Sequence, residues 1–274
     1  MHATALRRLY LMQLSTTTIP LAPGRSMEMV LPCYLVETSD NKHVLIDTGM
    51  AADARQPGTP PAANEKNVLD HLVELGIRPD EMDTVICTHF DVDHAGFHDS
   101  FPNAEFIVQR GHYEIARNGH ARFASARAHW DHPALRYRFA DGDTELLPGL
   151  TLLETSGHAP GHQSVLVRLP RTGPVLLAID AVMMQRLFTM DRKASPQDDN
   201  EPQLLASTRK LLDIVERTSP VERLRPRRRT MENTEKIATI LRVNFTFLDR
   251  SGIKGSVRLF ERIRKNGRTL LTSL

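Results

Sequence analysis

The chain's 274 residues, 41% apolar and 25% charged with a formal net charge of +2, suffice for one large or two modest domains with an ordinary core. No apolar run reaches the roughly 18 residues of a membrane span, and residues 1–20 lack the apolar stretch and cleavage site of a secretion signal. Two cysteines make no disulfide framework, so a cytoplasmic protein with buried thiols is expected.

Charge is unevenly spread. From Arg217 onward there are fifteen Lys and Arg against five Asp and Glu, which leaves twenty against twenty-eight in residues 1–216. A mildly acidic body carries a basic tail. No internal repeat of roughly 20 to 50 residues is present, which excludes solenoids and propellers.

In chain order, LYLMQL and MVLPCYLVE read as strands, and TSDNK turns the chain into the strand HVLID, an antiparallel entry into a sheet. Residues 51–63, rich in Ala, Pro and Gly, read as a loop. Asn64 is the expected cap of a helix that carries Val68, Leu69, Leu72 and Val73 at helical spacing and stops at Gly76. TVICTH is the next strand, and EFIVQ and GHYEIARN follow as strand and short helix. Residues 119–133 are polar and read as a surface excursion, a candidate lid. LTLLET, SVLVRL and PVLLAID are three more strands, the last two joined through PRTG. EPQLLASTRKLLDIVER is an amphipathic helix with Leu204, Leu205, Leu211, Leu212 and Val215 on one face. Strands, then strand and helix mixed, then strands again argue for two sheets packed face to face with helices outside.

The polar residues that stand out each close a strand. THFDVDHAG sets His89, Asp91, Asp93 and His94 just past an apolar run, His158 lies in SGHAPGHQS between two strands, and Asp180 and Asp47 end PVLLAID and HVLID. Imidazoles and carboxylates converging from loops at one sheet edge are what a borderline metal such as zinc binds. His2, His43, His71, His98, His112, His120, His129 and His132 read instead as surface or packing residues.

The succession LIDTG, H-x-D-x-D-H, GHAPGHQS and a strand-terminal aspartate resembles the metallo-β-lactamase superfamily, and within it the N-acyl-homoserine lactone hydrolases, from about Leu9 to Arg217. The resemblance implies an αββα sandwich of two mixed β-sheets flanked by helices, with two zinc ions at one edge. His89, Asp91 and His158 would bind the first ion, Asp93 and His94 the second, and Asp180 would bridge them. Asp47 would steady the ligand loop, and His162 would hold its loop by a hydrogen bond rather than coordinate. The implied reaction opens the lactone ring of an N-acyl-homoserine lactone with a metal-activated water, while Asp93 takes or returns a proton or orients the water. The scaffold also hosts esterases, β-lactamases and thioester hydrolases. These, and a metal-poor inactive member, are the alternatives. Met183, Met184, Leu187 and Phe188 read either as the wall of an acyl-chain pocket or as core.

The chain departs from that family pattern in two places. Asp91 stands where a second histidine is usual; a carboxylate is a competent ligand, but its charge makes the metal a weaker Lewis acid. Relatives also carry a zinc-binding histidine after the last sheet segment, and no histidine follows His162 here. Water, a carboxylate such as Asp191, or nothing at all are the candidates for its place.

Residues 1–217 thus read as a catalytic domain acting on a small acyl lactone or ester, and 218–274 as a divergent basic segment in which ATILRVNFTFLD is a candidate closing strand. Arg223, Arg225, Arg227, Arg228 and Arg229 come without interleaved aromatics or a recognised module, so a nucleic-acid partner is not expected.

Overall fold

A computed structural model describes residues 5–22, 25–51, 53, 66–218, 263–265 and 268–270. Strands β1 (Leu6–Ala22), β2 (Arg25–Thr38) and β3 (His43–Ile46) pair antiparallel. The sheet then continues in parallel through β4 (Thr84–Ile86), β5 (Glu105–Gln109) and β6 (Arg136–Ala140). A second sheet, antiparallel throughout, has the order β10-β9-β8-β7, with β7 at Thr144–Leu147, β8 at Leu150–Glu154, β9 at Gln163–Leu169 and β10 at Gly173–Leu177. β6 and β7 fall outside the expected strands because their outward residues are charged and only partly covered.

Alternation along the strands deals side chains to three cores. Leu45, Val85, Cys87, Phe106 and Val108 face one side of the first sheet. There they meet Val68 and Leu72 of α1 (Val68–Leu75), Ala116 of α2 (Arg110–Arg117) and Trp130 of α3 (Arg127–Trp130). Val44, Ile46, Ile86 and Ile107 face the other side and pack on Leu152, Val165, Val167 and Leu177 of the second sheet. Leu153, Leu166 and Leu176 point away from that interface onto Leu211 and Val215 of α4 (Glu201–Thr218). Helices, sheet, sheet, helix: the expected αββα layering is the observed one. Cys33 and Cys87 are buried and unpaired.

Two local expectations are corrected. The cap of α1 is Asn67, not Asn64: Asn67 Oδ1 accepts from Asp70 N at 3.0 Å and Asp70 Oδ2 from Asn67 N at 3.1 Å, a reciprocal box at the residue that opens the helix. The stop at Gly76 stands, with φ of 73°. Residues 121–130 are no polar excursion either. Phe123, Ala126 and Trp130 are fully buried, and Trp130 stacks on Phe90 with centroids 4.7 Å apart, so the apolar minority of that segment ties it to the core. Residues 219–262, with the expected closing strand and the arginine cluster, lie outside the described residues; β11 (Ile263–Lys265) and β12 (Arg268–Leu270) pair antiparallel. Among the described residues no helix is long and apolar enough to cross a membrane.

Gln163, at the start of β9, joins the sheets. Its side chain donates to Cys87 O at 2.8 Å and Ile107 O at 3.2 Å and accepts from Gln109 at 2.9 Å. The carboxyl ends of β3 and β4, where parallel α/β sheets characteristically bind ligands, are thereby held against the β8–β9 turn.

Candidate metal centre

The polar side chains gather at that seam. Asp47 follows β3, His89 to His94 follow β4, His158 lies in the β8–β9 turn, and Asp180 sits in the 3-10 turn Ile179–Val182 after β10. Asp47 (φ 59°) and Ile179 (φ 51°) hold left-handed backbone conformations, unfavourable for a β-branched residue above all. Gly96 lets the motif loop close on the turn after β3. Its N–H donates to Gly49 O at 2.7 Å, and a Cβ there would collide with the backbone of Met50 and Ala51.

Hydrogen bonds fix which ring nitrogen each histidine aims inward. Asp47 accepts from Thr88 N at 2.9 Å, Thr88 Oγ1 at 2.7 Å and His94 Nδ1 at 2.8 Å. Because the Thr88 hydroxyl donates to Asp47, it accepts from His89 Nδ1 at 3.0 Å. His158 Nδ1 donates to Asp198 Oδ1 at 3.0 Å. Asp198 in turn accepts from Ser195 N and Oγ at 2.7 and 2.8 Å. With every Nδ1 proton committed, the Nε2 atoms of His94 and His158, which line the cavity, and of buried His89 are left to accept a ligand. A carboxylate or hydroxyl behind each imidazole is the support that orients metal-binding histidines.

Two clusters result. Potential ligand atoms of His89, Asp91 and His158 lie within 4.8 Å of one another, and so do those of His89, His94 and Asp180. Asp180 Oδ2 is 3.4 Å from His158 Nε2 and 3.7 Å from His94 Nε2, so it faces a histidine of each cluster. Asp93 is 3.7 Å from His94 Nε2 and belongs to neither. His162 donates or accepts at Thr155 Oγ1, 2.9 Å away, and its ring packs 5.0 Å from that of His89. Asp191 is exposed and joins neither cluster.

Electrostatics favour added positive charge. Burial opposes ionisation of Asp91, yet His89, His158 and Arg122 hold its carboxyl well below the usual range. Burial likewise disfavours charge on His158, but its bonds to Asp198 and Asp91 raise its pKa to about 9. His94 is raised against burial by Asp93, Asp180 and Asp47. A divalent cation satisfies the same demand while leaving the imidazoles neutral. Buried His89 Nε2 has no hydrogen-bond partner among the described residues, a cost that a bound cation removes. The residues present fit a metal of the imidazole- and carboxylate-binding kind.

Sequence reasoning missed three residues that shape this site. His112 is buried, its Nδ1 donating to Pro160 O at 2.6 Å and its Nε2 accepting from Phe90 N at 2.9 Å, so it clamps the motif loop to the His158 loop. Asp198 was legible as the last residue of S-x-x-D before a helix. Arg122 carried no local signal. A cavity of about 330 Å³ opens above the clusters. Met29, Val30, Leu31 and Pro32 of β2 and Met183 form its apolar wall, whereas Leu187 and Phe188 pack in the core beneath α4.

A family profile described as the metallo-beta-lactamase superfamily matches residues 31–220. An N-acyl homoserine lactonase from Bacillus sp is 32% identical over 219 residues, 76% of this chain and 85% of that protein. A crystal structure of a quorum-quenching N-acyl homoserine lactone lactonase superposes with a TM-score of 0.69 at 30% identity, covering 80% of this chain and 91% of that one. Another, an N-acyl homoserine lactone hydrolase with the product N-hexanoyl-L-homoserine bound at the catalytic metal center, gives 0.68 at 30% identity over 79% and 92%. The chain belongs to the metallo-β-lactamase superfamily, and the curated relative named above, matched over most of both chains, is an N-acyl homoserine lactonase.

Proposed function

We propose that the chain is a zinc-dependent hydrolase that opens the lactone ring of N-acyl-homoserine lactones. The observation that carries this is the pair of buried histidine–carboxylate clusters under a cavity with one apolar wall, in a chain whose relatives act on that substrate. His89, Asp91 and His158 would hold one ion, His94 and Asp93 a second, and Asp180 would face both. Bound there, divalent metal supplies Lewis acidity that makes water a nucleophile near neutral pH and polarises a carbonyl. The chain's own residues do the rest. The apolar wall takes the acyl chain and sets the ring over the clusters. Asp93, 3.7 Å from His94 Nε2, also accepts the proton of the attacking water. As the ring C–O bond breaks, that proton passes to the ring oxygen, leaving an alcohol and a carboxylic acid that releases its proton to solvent.

The same proposal has the enzyme act in the cytoplasm, which two buried thiols without a disulfide support. It takes residues 1–217 as the catalytic unit and 218–274 as a divergent appendage, in keeping with a family match that ends at residue 220. The test is zinc stoichiometry by elemental analysis together with acid release from N-hexanoyl-homoserine lactone, an aryl ester, a β-lactam and a thioester. Zinc-dependent acid release fastest with the lactone is expected. A zinc-free chain, or one preferring another substrate, overturns the proposal.

A further inference from the structure

Arg122 is the only lysine or arginine among the described residues that line the cavity. Its guanidinium forks onto Asp91, with Nε donating to Oδ1 at 2.6 Å and Nη2 to Oδ2 at 2.5 Å. Nη2 also lies 2.7 Å from His158 Nε2, and Nη1 donates to Gln197 O at 2.6 Å and Asp199 Oδ1 at 3.0 Å. The neighbouring Phe123 is fully buried, so the turn that carries Arg122 is anchored from behind. A planar fork on a carboxylate is the arrangement for which arginine, and not lysine, is suited.

We infer that Arg122 is a positioning residue that offsets the charge of Asp91, so that the Asp91–Arg122 pair presents to a divalent cation the net charge of one neutral imidazole. The inference rests on the proposal that His89, Asp91 and His158 hold such a cation. A bare carboxylate in that cluster, with Asp93 and Asp180 close by, strengthens cation binding but blunts the cation's Lewis acidity. The guanidinium withdraws charge from both carboxylate oxygens. Its Nη2 hydrogens also engage Asp91 Oδ2 and His158 Nε2, lone pairs that a cation in the cluster requires. Nε on Oδ1 is the contact that both can keep. Arg122 therefore weakens cation binding, and it is tolerated because residue 91 is an aspartate.

Zinc affinity of the full chain, measured by chelator competition, tests this in Arg122→Met, Arg122→Gln, Asp91→His and Asp91→His/Arg122→Met. Arg122→Met is expected to bind zinc about tenfold tighter than wild type, the scale on which residues supporting metal ligands act. Asp91→His leaves the guanidinium without its counter-charge and is expected to bind about tenfold weaker; adding Arg122→Met to it recovers most of that loss. Unchanged or weaker binding in Arg122→Met, or no recovery in the double variant, overturns the inference and leaves Arg122 as a pin for its turn. Should the Met variant fail to fold, Arg122→Gln decides, since it removes the charge and keeps a polar side chain: tighter binding supports the pairing and equal or weaker binding refutes it. If wild type binds no zinc, or His89→Ala binds as well as wild type, the metal proposal itself fails and takes this inference with it.

Discussion

Asp198 holds His158 from behind: its carboxylate accepts the Nδ1 proton at 3.0 Å while its side chain is 1% exposed. Ser195 locks that carboxylate in turn, so the imidazole is oriented by the loop before α4 rather than by its own turn. Asp198→Ala should lower zinc affinity by about 10- to 100-fold with His158 still present. Chelator competition checks this, and affinity equal to wild type would show that the turn alone orients the ring.

His89→Ala and His158→Ala each remove an imidazole from the first cluster. Both are expected to reduce zinc per chain by elemental analysis and to abolish lactone opening, while thermal melting in the presence of chelator changes little. Wild-type zinc content with wild-type turnover in either variant is the outcome that rejects their assignment as ligands.

Gly96→Ala tests how closely the motif loop must approach the turn after β3. A Cβ at 96 would sit 2.7 Å from Gly49 O and 2.8 Å from Met50 C, backbone atoms that cannot give way as a side chain could. A loss of about 1 to 3 kcal/mol is expected from denaturant melts, with weakened zinc binding because His94 and Asp47 are displaced together. A neutral substitution would mean that the loop has slack.

His98 and His112, like His162, are buried histidines outside the metal clusters that resist protonation. Burial lowers the pKa of His98 and His112 to about 3 each, and both nitrogens of His98 lack hydrogen-bond partners among the described residues. In the unfolded chain both titrate near 6.5, so below that pH the unfolded state takes up protons that the folded state refuses. Stability should fall as pH drops from about 6.5 toward 3, by up to about 1.4 kcal/mol per pH unit for each histidine. His98 lies 5.3 Å from Phe106 and 5.9 Å from Phe90, so His98→Phe suits its surroundings and should remove one proton from that slope. Urea melts at pH 5 and 7.5 compare the two chains; parallel slopes would contradict the assignment.

The layering and the clusters were legible because their signals are local. Period-2 runs mark the strands, and His89 to His94 occupy one short loop, so sequence proximity delivers spatial proximity. What the sequence concealed lies in long-range contacts: Arg122 reaches Asp91 across 31 positions, Asp198 reaches His158 across 40, and His112 reaches Phe90 across 22. The helix cap slipped from Asn67 to Asn64 because both are capping residues, and only the reciprocal partner Asp70 distinguishes them. Residues 121–130 looked polar because two aromatic side chains, Phe123 and Trp130, do the anchoring.

The placement of the clusters across the seam has a kinetic corollary. His89 and His94 hang from the first sheet, His158 and Asp180 from the second, so an ion held between them resists the separation of the two layers. Contacts between chain segments so far apart are slow to form, and interactions completed after the folding barrier lengthen the lifetime of the native state without hastening its formation. Metal would then act as a brake on unfolding. In a refolding and unfolding pair of stopped-flow traces, zinc should flatten the unfolding limb and leave the refolding limb where it is.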